Sequence, residues 1–139
     1  MRASVAPFGL LVGAVAIGGA AGSVARLLAG EAIQQRIGTS FPVGTLFINV
    51  SGSLLLGFII RIALDVPAVT PTTRALLTTG FCGGFTTFST FSYDTAVLLE
   101  NGTLIRASAY ALASVILSVA GTFGGFAAAR GVLEVIRGR

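Results

Sequence analysis

Histidine and lysine are absent from this sequence of 139 residues, cysteine occurs once, and charged side chains make up only 10% of it. With no histidine and with Cys82 alone, neither a thiolate–imidazole metal cluster nor an internal disulfide can form. Cys82 lies within a long apolar run and reads as a small buried hydrophobe. A soluble domain carries roughly 25% charged residues, so this shortage of charge excludes an ordinary water-facing surface. All nine basic residues are arginines, and most stand at the ends of apolar runs rather than on one face. That placement suits membrane anchoring and argues against a nucleic-acid partner, despite the net charge of +4.

What the chain has instead is apolar length. Hydrophobic residues make up 54% of it, gathered in four charge-free windows: Arg2 to Arg26, Arg36 to Arg61, Arg74 to Asp94 and Arg106 to Arg130. A helix crossing the hydrocarbon core takes roughly 17–25 apolar residues, and each window meets that length. The windows predict an all-α membrane protein with a single four-helix transmembrane domain over residues 1–139. The expected helices run from about Phe8 to Leu28, Val43 to Leu64, Thr73 to Leu99 with an interruption, and Leu104 to Val135. Turn residues from Gly38 to Pro42, a Pro-marked loop from Asp65 to Thr73, and Asn101-Gly102 separate them. Arg2, an apolar run and Ser23-Val24-Ala25 together imitate a cleaved secretory signal. Three further spans and packing glycines within the segment predict a retained first helix. Asn49-Val50-Ser51 and Asn101-Gly102-Thr103 fit the glycosylation pattern, but one falls in mid-span and the other in a tight turn, so both read as chance.

Lipid offers helices little hydrophobic reason to associate, so close packing of small residues must do it. Gly9 and Gly13, Gly18 and Gly22, and Gly121 and Gly125 each supply a GxxxG spacing. Four short glycine-rich helices scarcely enclose a site, which predicts a homo-oligomer, most simply a dimer. The termini and second loop carry Arg2, Arg61, Arg74, Arg130, Arg137 and Arg139 on one side, against Arg26, Arg36 and Arg106 on the other. That modest bias favours inside termini and leaves a mixed population open.

Polar groups within hydrocarbon are costly and point to function. No Asp, Glu, Lys or His lies inside any window, so a proton-coupled exporter lacks its carboxylate. Neutral donors are present: Asn49 and Ser53 on one face of the second helix, a run of hydroxyls in the third, and Ser108, Tyr110, Ser114 and Ser118 in the fourth. Individual hydroxyls also fit plain interhelical bonding. The stretch GFCGGFTTFSTFSYD, Gly80 to Asp94, interleaves glycines, phenylalanines and hydroxyls. On an ideal helix Phe81, Phe85 and Phe88 share a stripe of about 60°, with Phe91 beside it; packing alone accounts for such a stripe. Gly83-Gly84 predicts unwound backbone, which at membrane depth must be buried in protein or line a cavity. Its freed carbonyls suit a small cation, while hydroxyls and the positive edges of phenyl rings suit a small anion.

GGAAGSVAR at Gly18 to Arg26, GTLFINVSGSLLLG at Gly44 to Gly57, and GFCGGFTTFSTFS at Gly80 to Ser92 closely resemble the CrcB/Fluc fluoride channel family. The three motifs stand in the family's order and, with the four spans, cover most of the chain. The resemblance implies a channel rather than an enzyme: a passive fluoride-selective route out of the cytoplasm, in a prokaryotic plasma membrane. It implies an antiparallel, dual-topology homodimer with two pores at the subunit interface, membrane lipid around it and no nucleic acid. Asn49 matches the pore asparagine, and Phe88 and Phe91 match aromatic residues whose edges face fluoride. Ser89 and Thr90 match nearby hydroxyls, Tyr110 and Ser114 match polar positions of the fourth helix, and Arg26 matches an arginine near an aqueous vestibule. Gly83 and Thr86 match residues whose backbone carbonyls hold a central structural sodium ion, Na+. Phe85 stands where leucine is common, and Asp94 where glutamate can occur. A small structural membrane protein and a coupled transporter are the competing classes.

Overall fold

The computed structural model describes residues 6–138, so Arg2 and Arg139 of the end charges lie outside it. The described residues are all-helical. Helix α1 (Phe8–Ile37) is followed by α2 (Val43–Asp65), and a final long helix α6 (Leu104–Ile136) closes the chain. Between α2 and α6 lie a short α3 (Pro71–Ala75), a π-helical segment (Leu76–Cys82), a single turn α4 (Gly83–Phe85) and α5 (Phe88–Glu100). Helices α1, α2 and α6 are long and apolar enough to cross a membrane. Large side chains such as Ile17, Leu28, Leu112 and Ile116 point outward from them and are exposed, as a lipid-facing surface requires.

Helix α1 runs well past the expected end at Leu28. The apolar window stops at Arg26, but a helix does not have to stop where lipid does. Glu31, Gln35 and Arg36 continue it outside the apolar stretch, and Gly38 ends it in the left-handed region (φ 61°), returning its N–H to Gln34 O at 3.0 Å. The Gln34 side chain then holds the turn into α2. Its Nε2 donates to Thr39 O (2.6 Å) and Phe41 O (3.1 Å), and its Oε1 accepts from Gly44 N–H at 3.1 Å.

The interruption also differs from expectation. Gly83 and Gly84 are helical, and the chain goes extended at Thr86 (φ −81°, ψ 160°) and Thr87 (φ −152°, ψ 118°). Gly84 serves close approach instead of unwinding, since a Cβ on it would lie 2.5 Å from Gly19 O. Extended backbone suits the branched threonines, and Thr87 caps α5 by accepting Thr90 N–H at 3.2 Å. The break also splits the expected phenylalanine stripe. Phe81 and Phe85 stack at 5.9 Å, whereas Phe88 turns away with α5 to pair with Phe91.

Two glycine seams set the layers. Gly18 and Gly22 of α1 lie against backbone of the π-helical segment and α4, and Gly121 and Gly125 of α6 lie against α2. Among the described residues, a Cβ on Gly9 or Gly13 would meet nothing within 4 Å, so that pair forms no seam there. A Cβ on Gly22 would approach Phe85 N at 2.9 Å, and one on Gly125 would approach Phe58 N at 2.6 Å. Gly22→Ala and Gly125→Ala are therefore expected to lose about 1–3 kcal/mol each through overpacking. Gly131, with nothing within 4 Å of an added Cβ among the described residues, is expected to tolerate alanine and gain up to about 1 kcal/mol of helix propensity. Melting temperatures in one detergent check the sign; equal behaviour of all three variants contradicts the seams.

Candidate functional site

The break in the third stretch is held by a side chain from α2. Asn49 Oδ1 accepts the Thr87 N–H at 2.8 Å, and Asn49 Nδ2 donates to Thr87 O at 3.0 Å. One amide thus occupies both backbone polar groups of the extended residue, leaving one Nδ2 hydrogen unused. The two-way pairing also fixes which amide atom is which. Thr86 closes the preceding turn, its N–H and its Oγ1 both reaching Cys82 O, at 2.9 and 3.0 Å. Among the described residues no backbone N–H returns to the carbonyls from Gly83 to Thr86, the usual condition of a helix C-terminus. Ser23 Oγ stands 3.5 Å from Gly84 O, at the edge of hydrogen-bond reach.

A cavity of ≈ 240 Å³ opens on one side of this clasp. Asn49, Ser53, Thr86, Phe88, Phe91, Ser114 and Ser118 line it, and no charged side chain does. Ser114 is buried, and among the described residues its Oγ meets no partner at hydrogen-bond geometry, so its hydroxyl borders the space unengaged. A larger cavity of ≈ 690 Å³ lies on the other side, bordered by Ser23, Arg26, Glu31, Thr45, Thr90 and Asp94. Among the described residues Arg26 makes no ion pair; the one such pair joins Arg61 Nε to Asp65 Oδ2 at 3.0 Å.

A chain of rings backs the smaller cavity. Phe88 and Phe91 lie 5.4 Å apart between centroids, Phe91 and Tyr110 5.5 Å, and Tyr110 meets Phe41 edge-on at 5.6 Å. Tyr110 is fully buried, and its hydroxyl donates to Asp94 Oδ2 at 3.2 Å. Phe88 is 78% exposed despite lying beside the break.

The sequence-selected residues therefore divide. Asn49, Phe88, Phe91, Ser114 and Thr86 border the smaller cavity, and Arg26 and Thr90 the larger. Ser89 borders neither; its Oγ lies 3.2 Å from Thr87 Oγ1. Tyr110 stands behind Phe91, and Gly83 is exposed at the outer face of α4. Two residues carry more than the sequence assigns them. Thr87 is the hub of the break, and Asp94 is the partner of Tyr110. The four-residue spacing from Thr90 to Asp94, one helical turn, was a usable signal for the second; none pointed to the first. No group of His, Cys, Asp or Glu suited to a metal ion occurs among the described residues.

Comparison with known proteins agrees in one direction. The family model described as CrcB-like protein, Camphor Resistance (CrcB), matches residues 13–126. A curated protein of Aquifex aeolicus, named fluoride-specific ion channel FluC, is 47% identical over 116 residues, covering 84% of this chain and 94% of its own. The Rhizobium meliloti protein of the same name is 48% identical over 124 residues, covering 89% and 97%. That of Nitrobacter winogradskyi is 50% identical over 117 residues, covering 81% and 89%.

Proposed function

This chain belongs to the CrcB family, and we propose that it is a fluoride-selective channel that lets cytoplasmic fluoride leave passively across a prokaryotic plasma membrane. The observation that carries this reading is the smaller cavity: Asn49, two phenyl rings and three serines, with no fixed charge. A small, strongly hydrated anion needs several short donors to replace its water. A full positive charge at the same place would hold it too tightly to pass. Asn49 keeps one amide hydrogen for the anion, Ser114 an unpaired hydroxyl, and Phe88 and Phe91 the positive edges of their rings. Arg26 supplies the one positive charge of the larger cavity, which acts as the vestibule, beside the carboxylates of Glu31 and Asp94. Ser89, Thr90 and Tyr110 support this track, the last by holding Phe91 from behind. The relatives are named as channels, and the reading is of a channel, not an enzyme. Fluoride entering as its neutral acid ionises inside and is trapped; the membrane potential then drives it out.

The broken stretch from Pro71 to Glu100 is the fourth membrane crossing in this reading. Its carbonyls from Gly83 to Thr86 cannot face lipid, because unpaired backbone groups there cost several kcal/mol each. A second copy of the chain covers them, giving a homodimer with the anion path at its interface. The weak arginine bias allows the two copies to insert in opposite senses, as an antiparallel pair. A C-terminal tag probed with protease from each face of the membrane is expected to reveal two populations. Access from one face alone contradicts the dual topology.

The same carbonyls fit a buried sodium ion, held by Gly83 and Thr86 of each copy. The donor set is neutral oxygen only, and among the described residues no group of His, Cys, Asp or Glu suits a metal ion. Anomalous scattering from a heavier monovalent ion at this point supports the assignment; water alone there removes it.

Fluoride flux through reconstituted protein is expected to follow an imposed voltage with no proton gradient. A reversal potential that moves with pH at fixed fluoride concentrations marks a coupled exchanger instead.

A further inference from the structure

On the channel reading above, we infer that the Thr87 hydroxyl is the hand-over point for the anion between the vestibule and the aromatic cavity. Among the described residues Thr87 alone borders both cavities, so the wall between them runs through this residue. Everything in that wall except one hydrogen is fixed. The Thr87 N–H and C=O are both taken by Asn49, at 2.8 and 3.0 Å. Its Oγ1 is pinned by the Thr90 N–H at 3.2 Å as the cap of α5, and the residue is only 8% exposed. Branching at Cβ further restricts the rotamer. The hydroxyl hydrogen alone stays free, because it turns about the Cβ–Oγ1 bond without moving a heavy atom.

Two acceptors mark where that hydrogen goes in the absence of an anion. Thr87 Oγ1 donates to Thr90 Oγ1 at 3.1 Å, and Ser89 Oγ stands 3.2 Å away. Thr90 borders the vestibule. An anion arriving there displaces the Thr90 oxygen as acceptor and takes the Thr87 hydrogen. As the anion moves past the wall the O–H rotates with it, towards Asn49 and the rings. The Thr90 hydroxyl, exposed to the vestibule, finds water in exchange. The donor thus follows the ion while the backbone of the break stays closed.

The test compares Thr87→Ser, Thr87→Cys and Thr87→Val in liposomes, with flux counted per assembled dimer and melting temperature measured alongside. Serine keeps the rotating hydroxyl and the cap, cysteine offers a weak donor of similar size, and valine offers none. Maximal fluoride flux is expected to fall in the order Ser, Cys, Val, with valine lowered about tenfold to a hundredfold, as for loss of one hydrogen bond to a charge. The half-saturating fluoride concentration stays nearly unchanged, because the binding groups on either side remain. A purely structural cap predicts lower melting temperatures with normal flux per dimer, and that result overturns the hand-over role. Equal loss in serine and valine overturns it too. If the valine chain is not recovered folded, the cysteine chain decides by the same criteria. Wild-type protein that carries no fluoride refutes the channel reading itself, whereas a conducting wild type with a normally conducting valine variant refutes only the role of Thr87.

Discussion

Phe88→Ile and Phe91→Ile are each expected to cut fluoride flux about a hundredfold while leaving the protein folded. Both substitutions keep an apolar side chain of moderate volume, and such swaps usually cost less than about 3 kcal/mol. Phe88 is 78% exposed in the single chain, so its replacement disturbs little of the subunit's own packing. Phe91 touches two rings, at 5.4 and 5.5 Å, and its loss removes about 0.5–1.5 kcal/mol of aromatic pairing for each. The effect on flux is larger because an aliphatic side chain has no positive edge. In a narrow passage with little water, the anion cannot replace that partner. A loss of about 3 kcal/mol at the barrier lowers the rate roughly a hundredfold, at 1.36 kcal/mol per factor of ten. Methionine, with its polarisable sulfur and polarised terminal methyl, is expected to retain more flux than isoleucine at either position. If both isoleucine variants conduct normally and melt at lower temperature, the rings only pack.

The second large effect is expected at Asn49, where two substitutions separate its two tasks. Asn49→Leu removes both bonds to Thr87 and leaves a buried N–H and C=O unpaired, a cost of about 1–3 kcal/mol each. It should give the least stable variant and no measurable flux. Asn49→Asp keeps an oxygen for the Thr87 N–H but sets a carboxylate against the Thr87 carbonyl and against any anion in the smaller cavity. Stability is expected to fall less than in Asn49→Leu, while fluoride flux is abolished all the same. Melting curves and efflux on the same preparations check both outcomes. Flux retained in Asn49→Asp would mean that the amide clasps the break and never meets the anion.

These expectations rest on residues whose legibility differed for physical reasons. Asn49, Phe88 and Phe91 stood out because an amide and interleaved rings have few other uses in a charge-free window. The apolar windows gave α2 and α6 almost to their ends, since hydropathy and helix coincide there. They did not give the end of α1, because Gln34 and the Gly38 cap extend the helix through polar residues that hydropathy does not register. The break was placed at Gly83-Gly84 on backbone freedom alone. Its true position depends on contacts from other helices: Gly19 pressing on Gly84, and Asn49 drawing the Thr87 backbone out of the helix. Thr87 reads as one hydroxyl among several for the same reason, its role lying in which two cavities it borders. Two of the three glycine pairs proved to be seams within one chain, a distinction that spacing alone does not carry.

The defining property of the proposed channel is that it passes fluoride and not other halides. Purified protein reconstituted into liposomes loaded with potassium fluoride, opened to current by a potassium ionophore, tests it with a fluoride electrode; parallel liposomes loaded with potassium chloride serve as the control. Rapid fluoride efflux that scales with the number of protein-containing vesicles, with chloride release no faster than from protein-free vesicles, is the expected result. Fluoride retention equal to that of empty liposomes, or equal release of both halides, contradicts it.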